Sequence, residues 1–122
     1  MKSYGPYSPI KKAGSFYFVS GQVGVDPETN NAGKTIDEQT AQALVNLEDL
    51  LESTGLALAN VVKTTVYLTD MRDFRAMNEV YEGHFKGLKP ARATVAVKEL
   101  PHVGGEANIR IEIEAVAYKG KK

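Results

Sequence analysis

Between positions 109 and 118 the chain alternates strictly. Ile109, Ile111, Ile113, Ala115 and Ala117 are apolar, whereas Arg110, Glu112 and Glu114 between them are charged. Period-two alternation is what a strand with one buried face needs, because successive side chains point to opposite sides. Such a segment belongs in a sheet covered on one side only. The opposite row (Arg110, Glu112, Glu114, Val116, Tyr118) then has to meet something else. A second alternating stretch, over 90–97, sets Arg92, Thr94 and Ala96 against apolar Ala93, Val95 and Val97. Read as neighbouring strands, the two stretches bring Arg92 and Glu112 to one pocket, a pair able to bind a carboxylate and handle a proton.

The remaining elements follow from periodicity and punctuation. Residues 8–14 read as a turn leading into a short edge strand, 16–22 as a strand, and 26–33 as a loop rich in turn formers. Residues 61–68 read as a strand with β-branched residues at five of eight positions. A helix is expected from Thr35, which forms a capping box with Glu38. Ala43, Leu44, Leu47, Leu50 and Leu51 make its apolar stripe, and Gly55 ends it. Asp70 caps a second helix whose stripe is Phe74, Met77, Tyr81 and Phe85, closed by Gly87. The order is strand, strand, helix, strand, helix, strand, strand. It implies an α/β (α+β) fold, a mixed sheet with both helices packed on one face. Covering the mixed open face with further copies in a closed symmetric oligomer resolves its exposure. A pocket holding Arg92 and Glu112 then lies near a subunit interface.

Composition narrows the function. The 122 residues are expected to form a single domain over 1–122. Lys plus Arg and Asp plus Glu both number 15, so the chain lacks the basic excess with which nucleic-acid binders neutralise phosphates. There are no cysteines, hence no disulfide, thiolate ligand or thiol nucleophile. The two histidines, His84 and His102, lack metal-ligand spacing, and no metal is expected. The N-terminus lacks a secretory apolar stretch and no run reaches membrane-spanning length, so a cytoplasmic protein without membrane contacts is expected.

Several motifs occur in a telling order: Gly5-Pro-Tyr-Ser8, Phe18-Val-Ser-Gly-Gln22, Val62-Lys-Thr-Thr-Val-Tyr-Leu-Thr-Asp70, Met77-Asn-Glu-Val-Tyr81, Pro90-Ala-Arg92 and Ile111-Glu-Ile-Glu-Ala115. Over nearly its whole length the chain resembles the RidA/YjgF family of reactive-intermediate deaminases. The resemblance implies a chorismate-mutase-like fold, a homotrimer with three intersubunit clefts, and no cofactor. It implies hydrolysis of short-lived enamines and imines, such as 2-aminoacrylate and 2-iminobutanoate, to 2-oxo acids and ammonia. Carried over motif by motif, the site residues are Tyr7, Ser20, Gly21, Asn78, Arg92 and Glu112. Thr94 stands where family members often carry cysteine, and the connection over 102–108 is longer than the family's usual turn.

Arg92 suits a substrate carboxylate and Glu112 suits proton transfer or water positioning. The residues by themselves also allow plainer roles. Without the resemblance Arg92 reads first as an exposed or salt-bridged strand residue, and either Glu112 or Glu114 as a solvated group or a partner of Arg110. Tyr7 reads as a packing anchor or a cleft residue. Ser20 has no adjacent His or Lys to make it a nucleophile, so hydrogen bonding is its expected contribution. The role of Asn78 rests on the resemblance. The leading function is a 2-iminobutanoate/2-iminopropanoate deaminase; the alternative is a non-catalytic small-carboxylate-binding or chaperone-like regulatory trimer. RNA cleavage, also attributed to some family members, fits poorly with the neutral net charge.

Overall fold

The computed structural model describes residues 5–87, 89–103 and 108–120. In chain order its elements are β1 (Ile10–Ala13), β2 (Phe16–Val23), α1 (Ile36–Glu52), β3 (Val61–Leu68), α2 (Phe74–His84), β4 (Ala91–Ala96) and β5 (Ile111–Tyr118). The expected order of strands and helices is therefore present. The five strands form one sheet in the order β1-β2-β5-β3-β4. β5 runs antiparallel to both β2 and β3, while the edge strand β4 is parallel to β3, so the sheet is mixed. One expectation fails here. The strands carrying Arg92 and Glu112 are not neighbours, because β3 lies between them.

Local chemistry sets the helix ends. The Thr35 hydroxyl accepts from the Glu38 amide at 3.1 Å, as the capping box requires. The Glu38 carboxylate reaches back to the Lys34 amide, at 2.8 Å, one residue beyond the usual partner. Gly55, at φ +82°, takes the left-handed conformation that ends α1, and the Leu56 amide bonds back to the Leu51 carbonyl at 2.9 Å. Asp70 caps a single 3-10 turn, Met71–Asp73, by accepting the Arg72 amide at 2.9 Å, and α2 starts at Phe74 behind that turn.

Both helices cover the same face. Leu44, Leu47 and Leu51 of α1 and Met77 and Tyr81 of α2 pack on Tyr17, Val19, Val66, Leu68, Ile111 and Ile113. Each fully buried aliphatic side chain here is worth about 1.5–3 kcal/mol. The other face is bare of helices, and Phe16, Phe18, Val95 and Tyr118 on it are exposed. One end of that face carries a smaller core, in which Val23, Val25, Leu100 and Ile109 pack with Tyr67, Val97 and Val103. The segment following β4 thus folds over the sheet beside Glu112. No helix among the described residues is long and apolar enough to cross a membrane.

Two buried amides lock the strand ends near this second core. Asn46 donates to the carbonyls of Val23 and Val25, at 3.1 and 2.9 Å. Gln39 donates to the carbonyls of Gly33 and Asn108, at 2.9 and 2.8 Å, and accepts the Arg110 amide at 2.8 Å. Gln39→Leu removes the side-chain partner of these three partly buried backbone groups. It is expected to lower the unfolding free energy by about 1–3 kcal/mol in urea titration, from net hydrogen bonds worth about 0.5–1.5 kcal/mol each.

Candidate active site

Tyr7, Ser20, Gly21 and Glu112 line one pocket of about 140 Å³ together with Val23, Pro101 and Val103. Its floor is an irregularity in β2. Val19 pairs with Ala115 and Gln22 with Ile113, so Ser20 and Gly21 together oppose the single residue Glu114. This is a β-bulge, a device that bends a strand and re-aims side chains beside active sites. The Ser20 amide donates to the Pro9 carbonyl at 2.9 Å and its hydroxyl to the Ser8 carbonyl at 2.7 Å. These bonds bind the segment that carries Tyr7 to the bulge. With its proton committed to Ser8, the Ser20 oxygen remains free to accept a hydrogen bond. A Cβ at Gly21 would collide with the Glu112 carboxylate, so glycine is what lets that carboxyl lie against the bulge.

Burial, and secondly the neighbouring Glu114 carboxylate, push the Glu112 carboxyl above the ordinary glutamate value. Glu112 is thereby a proton donor at higher pH than a solvated glutamate. Tyr67 pairs with Glu112 across the strands. Burial and then the Glu114 carboxylate hold its phenol above the ordinary tyrosine value. Arg110 does not serve the glutamates: its guanidinium bonds the Asp73 carboxylate at 2.7 Å.

Arg92 lies elsewhere. It sits beside Thr64 in the β3–β4 register, and Thr64 is fully buried against α2, its hydroxyl 2.7 Å from the Tyr81 hydroxyl. Arg92 therefore points to the helix-covered face, at the sheet edge. Its guanidinium carbon is 4.8 Å from the centre of the Tyr81 ring and 5.7 Å from that of Phe74. Thr94, beside buried Val66, shares this face. Asn78 lies on the same α2 stripe as Phe74 and Tyr81. The Asn78 Oδ1 and Thr94 Oγ1 atoms are shielded from solvent without a hydrogen-bond partner among the described residues. Phe74, expected in the core, is instead exposed and lends its ring to Arg92.

The expectation that one open face carries Arg92, Thr94 and Glu112 is thus corrected. Glu112 pairs with Tyr67, which has the opposite parity to Thr64 along β3, so Arg92 and Glu112 point out of opposite faces. From strand geometry their backbones are roughly 14 Å apart. Within one protomer the candidate residues fall into two separate clusters. One holds Tyr7, Ser20, Gly21 and Glu112; the other holds Asn78, Arg92 and Thr94. The sequence-based reading also missed Val23, Tyr67, Pro101 and Val103, which wall the glutamate, and the ring seat beneath the arginine. Tyr67 alone had a signal, the period-two pattern of 61–68. Gly104, Gly105, Glu106 and Ala107, in the long connection, lie outside the described residues. Among the described residues no three His, Cys, Asp or Glu side chains gather as a metal site.

Comparison with known proteins identifies the family. The family model described as Endoribonuclease L-PSP matches residues 1–119. A RutC family protein of Pyrococcus horikoshii is 49% identical over 119 residues, covering 97% of this chain and 90% of its own. The 2-iminobutanoate/2-iminopropanoate deaminase of Mus musculus is 43% identical over 117 residues, covering 95% and 83%. Among solved structures, E. coli TdcF with bound serine superposes with a TM-score of 0.87 at 33% identity, over 97% of this chain and 91% of the other. The family model matches nearly end to end and the relatives cover most of both chains: the chain belongs to the RidA/YjgF family, the family of that Endoribonuclease L-PSP model.

Proposed function

We propose that the protein is a cofactor-free deaminase that hydrolyses 2-imino acids, and the enamines that tautomerise to them, to 2-oxo acids and ammonia. In this reading it works as a chorismate-mutase-like homotrimer. The observation that carries it is the placement of two groups: the Glu112 carboxyl, raised above the ordinary glutamate value by burial, and the Arg92 guanidinium point out of opposite sides of one sheet. A second copy that sets its Glu112 pocket against the Arg92 edge completes the site. The exposed open-face residues Phe16, Phe18, Val95 and Tyr118 supply apolar surface for that contact. The deaminase name carried by the mouse relative supports the chemistry.

The steps follow from the residues. Arg92 holds the substrate carboxylate through paired N–H donors. Glu112 of the adjoining copy gives its proton to the imine nitrogen as a water oxygen bonds to the C=N carbon, forming a carbinolamine. The water's extra proton goes to solvent or back to the carboxylate. A proton from the Glu112 carboxyl, recharged by that water proton or by solvent, then passes to the amine nitrogen as the C–N bond breaks; the hydroxyl gives its proton back to the carboxylate or to solvent, and the products are a 2-oxo acid and ammonia. Ser20 accepts a hydrogen bond from water or substrate. Tyr7 closes the pocket wall, and Asn78 and Thr94 offer polar atoms beside the carboxylate. Because such imines also hydrolyse unaided, orientation plus general acid catalysis, worth about 10²–10⁴-fold, is sufficient.

The test is ammonia release from freshly generated 2-iminobutanoate, with and without the protein. Acceleration is expected, and decay at the uncatalysed rate overturns the reading. Gly21→Ala provides a sharper check: its methyl displaces the Glu112 carboxylate, and turnover is expected to fall about 10²-fold, the scale of an ångström-sized misplacement. A second reading, a carboxylate-binding trimer without turnover, is favoured by the serine bound in the TdcF relative. It is distinguished by Arg92-dependent ligand stabilisation without any effect on imine decay.

A further inference from the structure

We propose that Tyr81 and Phe74 are positioning residues: their rings seat the Arg92 guanidinium so that its N–H donors stay available to a ligand carboxylate. This rests on the reading of Arg92 as the carboxylate anchor. A half-buried guanidinium in a fold usually recruits a carboxylate of its own. Among the described residues none bonds Arg92, although α2 carries Glu79 and Glu82 on its exposed side. The two rings take that place, both within the distance at which a ring face attracts a cation. The difference matters chemically. A protein carboxylate would occupy the same planar fork that a substrate carboxylate needs, whereas a ring stabilises the charge and uses none of the five donors.

The seat is built to be rigid. Tyr81 is 5% exposed, stacks on Phe85 with ring centres 4.6 Å apart, and shares a hydrogen bond with Thr64, the residue directly beside Arg92. One strand register therefore fixes both the cation and the ring under it. Burial pushes the Tyr81 phenol above its ordinary value, against the opposing pulls of the Thr64 hydrogen bond and the Arg92 charge. Phe74 lies seven residues earlier on the same helix, two turns along the stripe, and completes the seat from the solvent side. Removing either ring leaves the charge in place but frees it to wander, so a substrate carboxylate meets a less ordered fork.

The probe is 2-oxobutanoate, a stable 2-oxo acid, titrated by calorimetry against the wild type and against Tyr81→Phe, Tyr81→Leu and Phe74→Leu. Tyr81→Phe keeps the ring and should retain most of the affinity. Tyr81→Leu and Phe74→Leu are each expected to weaken binding about 3–10-fold, the scale of one partly desolvated cation–ring contact. In imine hydrolysis they should raise KM more than they lower kcat. The Arg92 side-chain proton signals, shifted by ring currents, should move in both leucine variants and hold in Tyr81→Phe. Phe74 is exposed, so its variant remains readable even if Tyr81→Leu fails to fold. Unchanged affinity and unchanged Arg92 signals in Phe74→Leu and in folded Tyr81→Leu overturn the seat, as does equal binding by wild type and Arg92→Ala. A wild type that binds 2-oxobutanoate through Arg92 but does not accelerate imine decay would overturn the deaminase reading alone.

Discussion

Glu112→Gln is expected to lower kcat for 2-iminobutanoate hydrolysis by about 10²–10⁴-fold, the range of a lost general acid, while the protein stays folded. The shape of the side chain survives; the transferable proton does not. The pH dependence gives the second half of the result. Burial and the Glu114 charge raise the folded-state pKa of Glu112, so the folded chain binds more protons than the unfolded chain between the ordinary glutamate value and that raised value. Wild-type stability therefore declines as pH rises through this window. Glutamine carries no such penalty. Glu112→Gln should consequently be at least as stable as wild type near neutral pH, with the gap in its favour widening across the window. Denaturant melts at several pH values check the stability, and the rate of ammonia release checks the chemistry. A stable but inactive variant separates lost catalysis from lost structure.

Arg92→Ala is expected to reduce kcat/KM by about 10²–10³-fold, from the loss of charge-assisted hydrogen bonds worth about 1.5–3 kcal/mol each. KM should rise because the carboxylate is held in the ground state, and kcat should fall because a substrate without its anchor meets the acid in fewer productive orientations. The stability cost should be small, about 0.5–1 kcal/mol, since the guanidinium's contacts in the protomer are the rings of Phe74 and Tyr81. Arg92→Lys restores the charge without the planar fork and should recover only part of the loss. Steady-state kinetics beside thermal melts measure both quantities.

Element types and order were legible because the signals were local and strong. The capping Thr35, the leucine stripe of α1, left-handed Gly55 and the alternation of β5 each specify their own structure. The faces of β4 were not. Alternation divides its residues into two rows but does not say which row meets the helices. Apolar Ala93 and Val95 looked like the inward row. The parallel register with β3 instead puts Arg92 beside Thr64 and Thr94 beside Val66, on the covered side. There the cation is tolerated because aromatic rings, not aliphatic core, lie over it. Strand adjacency was hidden for a related reason: β5 inserts between β2 and β3, a long-range pairing that no local signal encodes. The bulge at Ser20 and Gly21 was signalled only by a glycine inside a strand, and its purpose depends on Glu112, some ninety residues away in the chain. The candidate residues could thus be named from the sequence, but their separation onto two faces of the sheet could not.

The proposed intersubunit site is tested most directly by mixing two inactive proteins. If the protein is the proposed homotrimer, Arg92→Ala and Glu112→Gln subunits, coexpressed or refolded together in equal amounts, are expected to assemble into mixed trimers. If each site takes Arg92 from one copy and Glu112 from the next, every mixed trimer contains one site with both groups intact. Random assembly makes most trimers mixed, and activity should return to about one quarter of wild type. If activity stays at the level of the two parents while mass spectrometry shows mixed trimers, Arg92 and Glu112 do not share an intersubunit site.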